Sequence, residues 1–283
     1  MQMVKEYITS AFDASMPRQA SSWRWVHSDF AKDFVALQAG DALLENGSSE
    51  RIWQTTQKYV LKVRTPSGHL VVYKSYRLVK EWLKCIFRLS PLAREALNYQ
   101  QLLDMGLPMA RLLAAGDTRS CFILKGGFLV TEYAQETSDG RDFYGDGKNA
   151  ADTALRDAFI REVFANLAKM HDHGWVHRGS TPANFLYRLK GKSLETVWID
   201  VATCRQKSPS AQKRLIPEDF VNFFRFFNFT PEQRKAYEEL YLSFATHNLF
   251  TLQGLFEAVE TKLLANPKYQ RLLERSKNEH SLS

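Results

Sequence analysis

The feature that most constrains the fold of this chain is a polar loop followed by a short hairpin that ends in a carboxylate. The loop, residues 177–184, reads His-Arg-Gly-Ser-Thr-Pro-Ala-Asn. Short apolar runs at 184–187 and 197–199 predict a pair of strands. Asp200 comes directly after the second run. A fold that accommodates this pattern must return Asp200 to the side of Asn184, where the hairpin begins.

An amide oxygen and a carboxylate brought together in this way are the hard-oxygen ligands that Mg²⁺ prefers, with nucleotide phosphates supplying the remaining ligands. Taken alone, Asp200 would be a turn residue and Asn184 a loop cap. Their order, their spacing and the apolar runs between them favour a metal site, so Asn184 and Asp200 are the predicted metal ligands.

The first half of the chain has the pattern of strands and turns. Pro and Gly within 65–68 predict the turn of a β-hairpin, and 125–127 predicts the turn of a second one. A helix is predicted over 92–105, ended by Gly106. The predicted strands are 60–63, 70–73, 122–124 and 128–130.

The second half is predicted to be mainly helical. Apolar residues recur at helical spacing over 159–170, and Thr230 begins a capping box. His171 and His173 fit a helix end better than a metal cluster. The polar stretch 137–147 has the composition of a linker. We therefore predict an α+β chain with its boundary at 132–147, and four phenylalanines at helical spacing in the core of the second half: Phe220, Phe223, Phe224 and Phe227.

The loop at 177–184 resembles the catalytic loop of the protein-kinase superfamily, in which H-R-D is followed after four residues by Asn. Asp200 resembles the magnesium-binding Asp that this superfamily places one hairpin later. Lys74 resembles the phosphate-pairing lysine of the third strand, and Glu95 the helix glutamate that pairs with it. Within the superfamily, the chain is most similar to the lipopolysaccharide kinase branch, which includes the Kdo and heptose kinases. The shared residues are Lys-x-Tyr-Arg at 74–77, Arg-Glu at 94–95, and Leu-x-x-x-Gly-Leu-Pro at 102–108.

This resemblance implies a two-lobe kinase-like fold, with an N-terminal nucleotide-binding lobe over 1–132 and a helical C-terminal lobe over 133–283. It also implies ATP and Mg²⁺ as cofactors and a sugar of the lipopolysaccharide core as the acceptor. Lys74 and Glu95 are the main nucleotide-binding candidates. Gly47, at 46–49 where the superfamily has its glycine-rich turn, and Glu132, at the predicted hinge, complete that set.

The chain departs from the kinase pattern at Gly179, which stands where the superfamily has its catalytic Asp. Glycine cannot accept the proton of a substrate hydroxyl, and Ser180 is too weakly basic to replace a carboxylate. Two hypotheses follow. The first is an ATP-dependent sugar kinase impaired by Gly179, and the second is a pseudokinase that binds nucleotide and acts as a scaffold or regulator.

The basic residues at 77–88 point to a second class of partner. In a predicted amphipathic helix, apolar residues fall on one side and a cationic face on the other, which suits either a solvated surface or an anionic membrane. The formal charge of +7 alone would also permit nucleic acid, but no basic stripe interleaved with stacking aromatics supports that partner. The cationic face consists of Arg77, Lys80, Lys84 and Arg88.

The remaining composition bears on location. The chain contains 45% hydrophobic and 24% charged residues, which is ordinary for a globular protein and argues against disorder. No signal peptide and no run of about 18 apolar residues is found. Three scattered cysteines suggest a reducing compartment. We therefore expect a cytoplasmic protein, with peripheral attachment to the inner face of the inner membrane as a further option.

Overall fold

The structure is a computed structural model. It describes residues 5–9, 23–37, 49–56, 58–76, 90–120, 123–191 and 193–280. The chain divides into two compact units. The first unit consists of Met1–Gln101 and Ala110–Gln135, and the second of Leu102–Met109 and Glu136–Ser283.

A mostly antiparallel sheet dominates the first unit, as the α+β prediction requires. Across the described residues its strands follow the order β1-β2-β6-β7-β5-β4-β3, and only β1 and β2 run parallel. The strands are β1 (Lys5–Thr9), β2 (Trp23–His27), β3 (Ser49–Gln54), β4 (Lys58–Arg64), β5 (Leu70–Tyr76), β6 (Leu112–Ser120) and β7 (Ile123–Glu132). Helix α1 (Ala31–Leu37) packs on this sheet, and α2 (Pro91–Asp104) follows β5 in the chain.

The predicted hairpin around 65–68 is confirmed as β4 and β5. Leu61 and Val63 alternate with more exposed residues along β4, and they are fully buried with Val71 of β5. Gly68 has a φ of +91° and donates its N–H to the carbonyl of Thr65 at 2.9 Å. Only glycine adopts that conformation without strain, so the turn and the alternation together set the register of the hairpin.

The second predicted hairpin is wrong. Strand β7 runs without interruption through Gly126 and Gly127 and pairs with β6 on one side and β5 on the other. A Cβ at Gly126 would lie 2.8 Å from the carbonyl oxygen of Tyr76, and one at Gly127 would lie 2.9 Å from that of Gly116. These glycines therefore permit a close approach between strands, where the sequence had suggested a turn.

The second unit is mainly helical and carries two small sheets. One sheet has the order β11-β10-β8, and the other pairs β12 with β9. The predicted strand pair is confirmed as β10 and β11. The elements are β8 (Ser138–Asp139), α3 (Thr153–Asp172), β9 (Trp175–Val176), β10 (Phe185–Lys190), β11 (Ser193–Trp198), β12 (Arg205–Gln206), α4 (Pro209–Phe224), α5 (Pro231–Phe244), α6 (Leu252–Leu264) and α7 (Pro267–His280).

Local signals in the second unit are confirmed. Thr230 and Gln233 form the predicted capping box at the start of α5. Gly174, with a φ of +84°, follows the end of α3. All four phenylalanines of the predicted core are buried, namely Phe220, Phe223, Phe224 and Phe227.

The stretch 137–147 is folded into the second unit, so the linker prediction is wrong for these residues. Its first residues form β8, which pairs with β10, and a 3-10 helix follows at Gly140–Phe143. Phe143 is buried, and its ring centroid lies 4.7 Å from those of Phe159 and Tyr187. One well-placed aromatic residue anchors a segment whose composition is otherwise polar.

Residues 102–109 belong to the second unit, although the sequence placed them in the first half. The backbone N–H of Trp198 donates to the carbonyl of Pro108 at 2.7 Å, and the Lys169 ammonium donates to that of Gly106 at 3.0 Å. The hinge expected at 132–147 stays a prediction. Among the residues that the structure describes, no helix is both long enough and apolar enough to cross a membrane.

Candidate active site

In the first unit, Lys74 of β5 and Glu95 of α2 form a close ion pair. The Lys74 ammonium lies 2.9 Å from both carboxylate oxygens of Glu95. The side chain of Glu95 is 1% exposed, while that of Lys74 is 18% exposed. A buried carboxylate therefore fixes the position of an ammonium that remains partly open to a ligand. Such an ammonium can neutralise phosphate oxygens.

Local structure explains why these two residues meet. Lys74 lies in the middle of the sheet, opposite Val60 of β4 and Leu129 of β7. Ser90 accepts the N–H of Ala93 through its hydroxyl at 3.0 Å, which sets the start of α2. Glu95 follows one turn later on the buried face of that helix.

In the second unit, the carboxylate of Asp219 holds the loop at 177–184. It accepts the N–H groups of His177 at 2.8 Å and Arg178 at 2.6 Å, and the Ser180 hydroxyl at 2.9 Å. Burial opposes ionisation of this fully buried group, but the hydrogen bond and the charge of His171 outweigh it and lower the pKa of Asp219. Arg178 is held at a φ of +61°, which is uncommon outside glycine.

Sequence reasoning did not identify Asp219. The available signal was a carboxylate within the buried stripe of α4, between Ile216 and Phe223. A charged group in such a stripe requires hydrogen-bond partners. Its partners lie more than 35 residues away in the chain, so no local pattern indicates what they are.

His177 supports the loop at 177–184 from the interior of the second unit. It is fully buried, and its ring centroid lies 5.6 Å from those of Phe185 and Trp198. Burial lowers its pKa. The N–H of Gly179 donates to Nδ1 of His177 at 3.2 Å, which assigns the proton of the neutral ring to Nε2.

Both His171 and His173 lie at the end of α3, as predicted, but His171 is engaged with other side chains and does not cap the helix. Its Nδ1 lies 2.8 Å from the Tyr241 hydroxyl and its Nε2 lies 3.2 Å from Asp219. The Tyr241 hydroxyl also lies 2.7 Å from Nε2 of His247. His173 does cap the helix, with Nδ1 2.8 Å from the carbonyl of Lys169.

The hairpin brings Asn184 and Asp200 to adjacent positions. The N–H of Ile199 donates to the carbonyl of Asn184 at 3.0 Å, directly before the Phe185–Trp198 pair of the ladder. Asn184 Nδ2 donates to the carbonyl of Gly179 at 2.8 Å, which orients the amide and leaves Oδ1 available to a ligand. Asp200 is in the left-handed region, with a φ of +55°.

This donor set fits Mg²⁺. It offers an amide oxygen and a carboxylate, both hard ligands. Among the described residues, no group of three His, Cys, Asp or Glu side chains could hold a metal ion by itself. An ion bound by Asn184 and Asp200 would therefore need further oxygens, of the kind that nucleotide phosphates supply.

A side chain at Gly179 would displace Thr203. A Cβ at this position would lie 2.8 Å from Oγ1 of Thr203, and that hydroxyl donates to the carbonyl of His177 at 2.9 Å. The φ of Gly179 lies outside the left-handed region, so space is what requires the glycine here. Thr203 was not identified from the sequence, because its contact with Gly179 exists only in the folded chain.

The remaining residues predicted from the sequence have fewer contacts that bear on a role in the site. Glu132 ends β7, where its N–H donates to the carbonyl of Arg111 at 2.9 Å and its side chain is exposed. Two carboxylates that could stand in for the base missing at Gly179 are engaged elsewhere: Asp172 accepts the N–H groups of residues 246–247, and the Glu218 carboxylate lies 3.3 Å from the Lys262 ammonium. Gly47 and the predicted basic face, Arg77, Lys80, Lys84 and Arg88, lie outside the described residues.

Comparison with solved structures shows a protein-kinase-like fold. A structure described as WaaP in complex with acyl carrier protein matches with a TM-score of 0.58 and 18% identity, over 85% of this chain and 92% of that one. The Rio2 kinase–ADP/Mg²⁺–phosphoaspartate complex from Chaetomium thermophilum matches with a TM-score of 0.44 and 15% identity, over 90% and 77% of the two chains. No curated protein sequence matches significantly.

A family model provides the assignment. The model described as "Lipopolysaccharide kinase (Kdo/WaaP) family" matches residues 69–243, which is more than half of the 283 residues. The matched range contains Lys74, Glu95, the loop at 177–184 and Asp200. The chain therefore belongs to the lipopolysaccharide kinase (Kdo/WaaP) family.

Proposed function

We propose that this protein binds ATP with Mg²⁺ and transfers the γ-phosphate to a hydroxyl of a lipopolysaccharide core sugar. The observation that carries the proposal is the Lys74–Glu95 pair, with both carboxylate oxygens 2.9 Å from the ammonium. A buried ion pair contributes little net stability compared with apolar residues of similar size. Its presence is better explained by a need to hold an ammonium for phosphate.

Each residue has a role in this proposal. Lys74 neutralises phosphate oxygens, and Glu95 keeps its ammonium in place. Asn184 and Asp200 hold the Mg²⁺ ion, which would neutralise charge on the transferred phosphate. Glu132 and Gly47 complete the proposed nucleotide-binding residues.

Gly179 limits the rate of the proposed reaction. General-base assistance contributes about 10² to 10⁴ in rate, whereas phosphoryl transfer depends mostly on positioning and electrostatic stabilisation. We therefore expect slow but measurable transfer. The second candidate is a pseudokinase, favoured by the absence of space at Gly179 and by the engagement of Asp172 and Glu218 elsewhere.

Nucleotide binding is the first test. The melting temperature of the full chain would be measured with ATP, with and without Mg²⁺, for wild type, Lys74→Met, Asp200→Asn and the control Asp146→Asn. Asp146 is an exposed carboxylate of the second unit. We expect a Mg²⁺-dependent shift that both site variants lose and the control retains. An unchanged melting temperature in the wild type would exclude both candidate functions.

Transfer separates the two candidates. Transfer of phosphate from ATP to a core-sugar acceptor would be followed by mass spectrometry of the acceptor. Product that depends on Asp200 supports the kinase, and nucleotide binding without product supports the pseudokinase.

Location belongs to the same proposal. An acceptor carried by a lipid would place the reaction at the cytoplasmic face of the inner membrane, with Arg77, Lys80, Lys84 and Arg88 toward anionic headgroups. Sedimentation with vesicles of phosphatidylglycerol, compared with phosphatidylcholine, tests this attachment. Equal recovery of the protein with both vesicles would contradict it.

A further inference from the structure

Arg225, at the end of α4, is a partly buried cation that forms no ion pair with any residue that the structure describes. Its pKa is lowered, and burial alone is the cause, with no carboxylate opposing it. Its Nε is buried and has no hydrogen-bond partner among the described residues. Buried polar groups are normally satisfied, so a buried Nε without a partner makes Arg225 a candidate for contact with a ligand.

Arg234 is a buried arginine with a structural role, and its contacts can be compared with those of Arg225. It binds both oxygens of Glu260, and it also donates to the Tyr269 hydroxyl at 2.9 Å and to the carbonyl of Phe229. Within the described part of the chain, Arg225 has no comparable set of partners. The backbone N–H of Arg225 caps α4 by donating to the carbonyl of Val221. The guanidinium of Arg225 is therefore not needed as a helix cap.

An aromatic surface adjoins the Arg225 guanidinium. The central carbon of the guanidinium lies 5.1 Å from the centroid of the Phe226 ring, and that ring lies 5.2 Å from the ring of Tyr144. Tyr144 also contacts the buried Phe227 at 5.5 Å. Tyr144 and Phe226 are themselves only partly buried. A cation beside partly open aromatic rings suits a ligand with an anionic group and an apolar face.

Both sides of this cluster are joined to the loop at 177–184. Asn222, one turn before Phe226 on α4, donates its Nδ2 to the carbonyl of Arg178 at 3.4 Å. The 3-10 helix that precedes Tyr144 lies against the same loop, since a Cβ at Gly140 would be 2.5 Å from the carbonyl oxygen of Pro182. All of these residues lie in the second unit. A ligand at the cluster would therefore be next to the loop that carries Gly179.

We propose that Arg225, Phe226 and Tyr144 form an acceptor subsite for an anionic sugar. A phosphate or carboxylate of the sugar binds the Arg225 guanidinium, and the sugar ring lies against the two aromatic rings. This inference rests on the proposed function for the identity of the acceptor as a sugar. It adds the residues that would recognise the acceptor and the charge that the acceptor must carry.

The test measures binding without nucleotide. Mannose 6-phosphate, mannose, glucuronate and inorganic phosphate would be titrated into the full chain, with binding followed by ligand-detected NMR. Variants would be Arg225→Gln, Phe226→Ala and the control Arg214→Gln, which removes the same charge from an exposed position of α4. The ATP–Mg²⁺ melting shift of each variant reports that the fold is retained.

We expect mannose 6-phosphate or glucuronate to bind more tightly than mannose, and the stronger of the two identifies the anionic group. Arg225→Gln should weaken that binding by about tenfold or more, and Arg214→Gln should leave it unchanged. Equal binding by wild type and Arg225→Gln, or no binding by wild type, would overturn the subsite. Inorganic phosphate that binds as tightly as the sugar phosphate, with no effect of Phe226→Ala, would overturn the sugar contact. A missing ATP shift in the wild type would instead contradict the proposed function.

Discussion

Replacing Gly179 with Asp would return a carboxylate to the catalytic loop, but we expect this change alone to destabilise the protein and to leave transfer unimproved. A Cβ at this position would lie 2.8 Å from Oγ1 of Thr203, which real Cβ atoms do not tolerate. Thr203 is β-branched and cannot bend away. It must rotate about χ1, and its hydroxyl then loses the 2.9 Å bond to the carbonyl of His177.

The magnitude follows from these contacts. Loss of a hydrogen bond of this kind costs about 0.5–1.5 kcal/mol, and a side chain forced away from its rotamer costs a similar amount. We therefore expect Gly179→Asp to lower the free energy of unfolding by about 1–3 kcal/mol. For a chain of this size, each kcal/mol corresponds to a melting temperature lower by about 2–4 °C.

A double-mutant cycle with Thr203→Ala tests the contact. Removing the Thr203 hydroxyl should cost about 1 kcal/mol in the wild-type background and little in Gly179→Asp, which gives a coupling energy of about 1 kcal/mol. Thr203→Ser, which keeps the hydroxyl but can rotate more freely, should give a smaller coupling. If the kinase proposal is right, the Gly179→Asp/Thr203→Ala variant should transfer phosphate faster than wild type, by up to about 10² to 10⁴. A Gly179→Asp variant as stable as wild type, with no coupling to Thr203, would refute the steric reasoning.

Three further predictions follow. Lys74→Met should lower stability by about 3–5 kcal/mol because it leaves Glu95 charged and buried, whereas Lys74→Met/Glu95→Leu should regain stability in urea unfolding without regaining the ATP shift. Asp219→Asn, which cannot accept all of the donors that meet the carboxylate, should lower stability by about 2–3 kcal/mol and reduce transfer more than the ATP shift. Burial, with the charge of Glu260, raises the pKa of Glu238 to about 8. The stability from its protonated form is therefore present at acidic pH and lost as the pH rises through about 8, so Glu238→Gln should melt at higher temperature than wild type at pH 9 and show a smaller difference at pH 6.

Elements with local signals were predictable from the sequence. The turn at 65–68 and the capping box at Thr230 are encoded by residues within a few positions of each other, and both are present as expected. Gly126 and Gly127 were misread because the same residue type serves a tight turn and a close approach of strands. Their partners, Tyr76 and Gly116, are distant in the chain, so local sequence could not distinguish the two uses.

The residues of the candidate site also differ in whether the sequence alone could predict them. Lys74, Glu95, Asn184 and Asp200 were predicted as site residues because they form a spaced motif that resembles a known family. Asp219 and Thr203 belong to no such motif. Asp219 accepts backbone N–H groups of the loop and Thr203 donates to a backbone carbonyl, and every residue type except proline carries both of these groups, so the sequence does not mark them.

The loop at 177–184 and its contacts include features that lower the stability of the folded protein. Arg178 is held in the left-handed region, Asp219 is a fully buried charge, and Nε2 of His177 is buried without a hydrogen-bond partner among the described residues. A left-handed residue outside glycine costs about 1–3 kcal/mol, and an unsatisfied buried polar group costs about as much. A scaffold that had no use for this geometry could relax it by substitution at any of these positions. We therefore infer that the loop positions Asn184 for a ligand, a role that the kinase and the nucleotide-binding pseudokinase share, so that only a scaffold without a ligand is disfavoured.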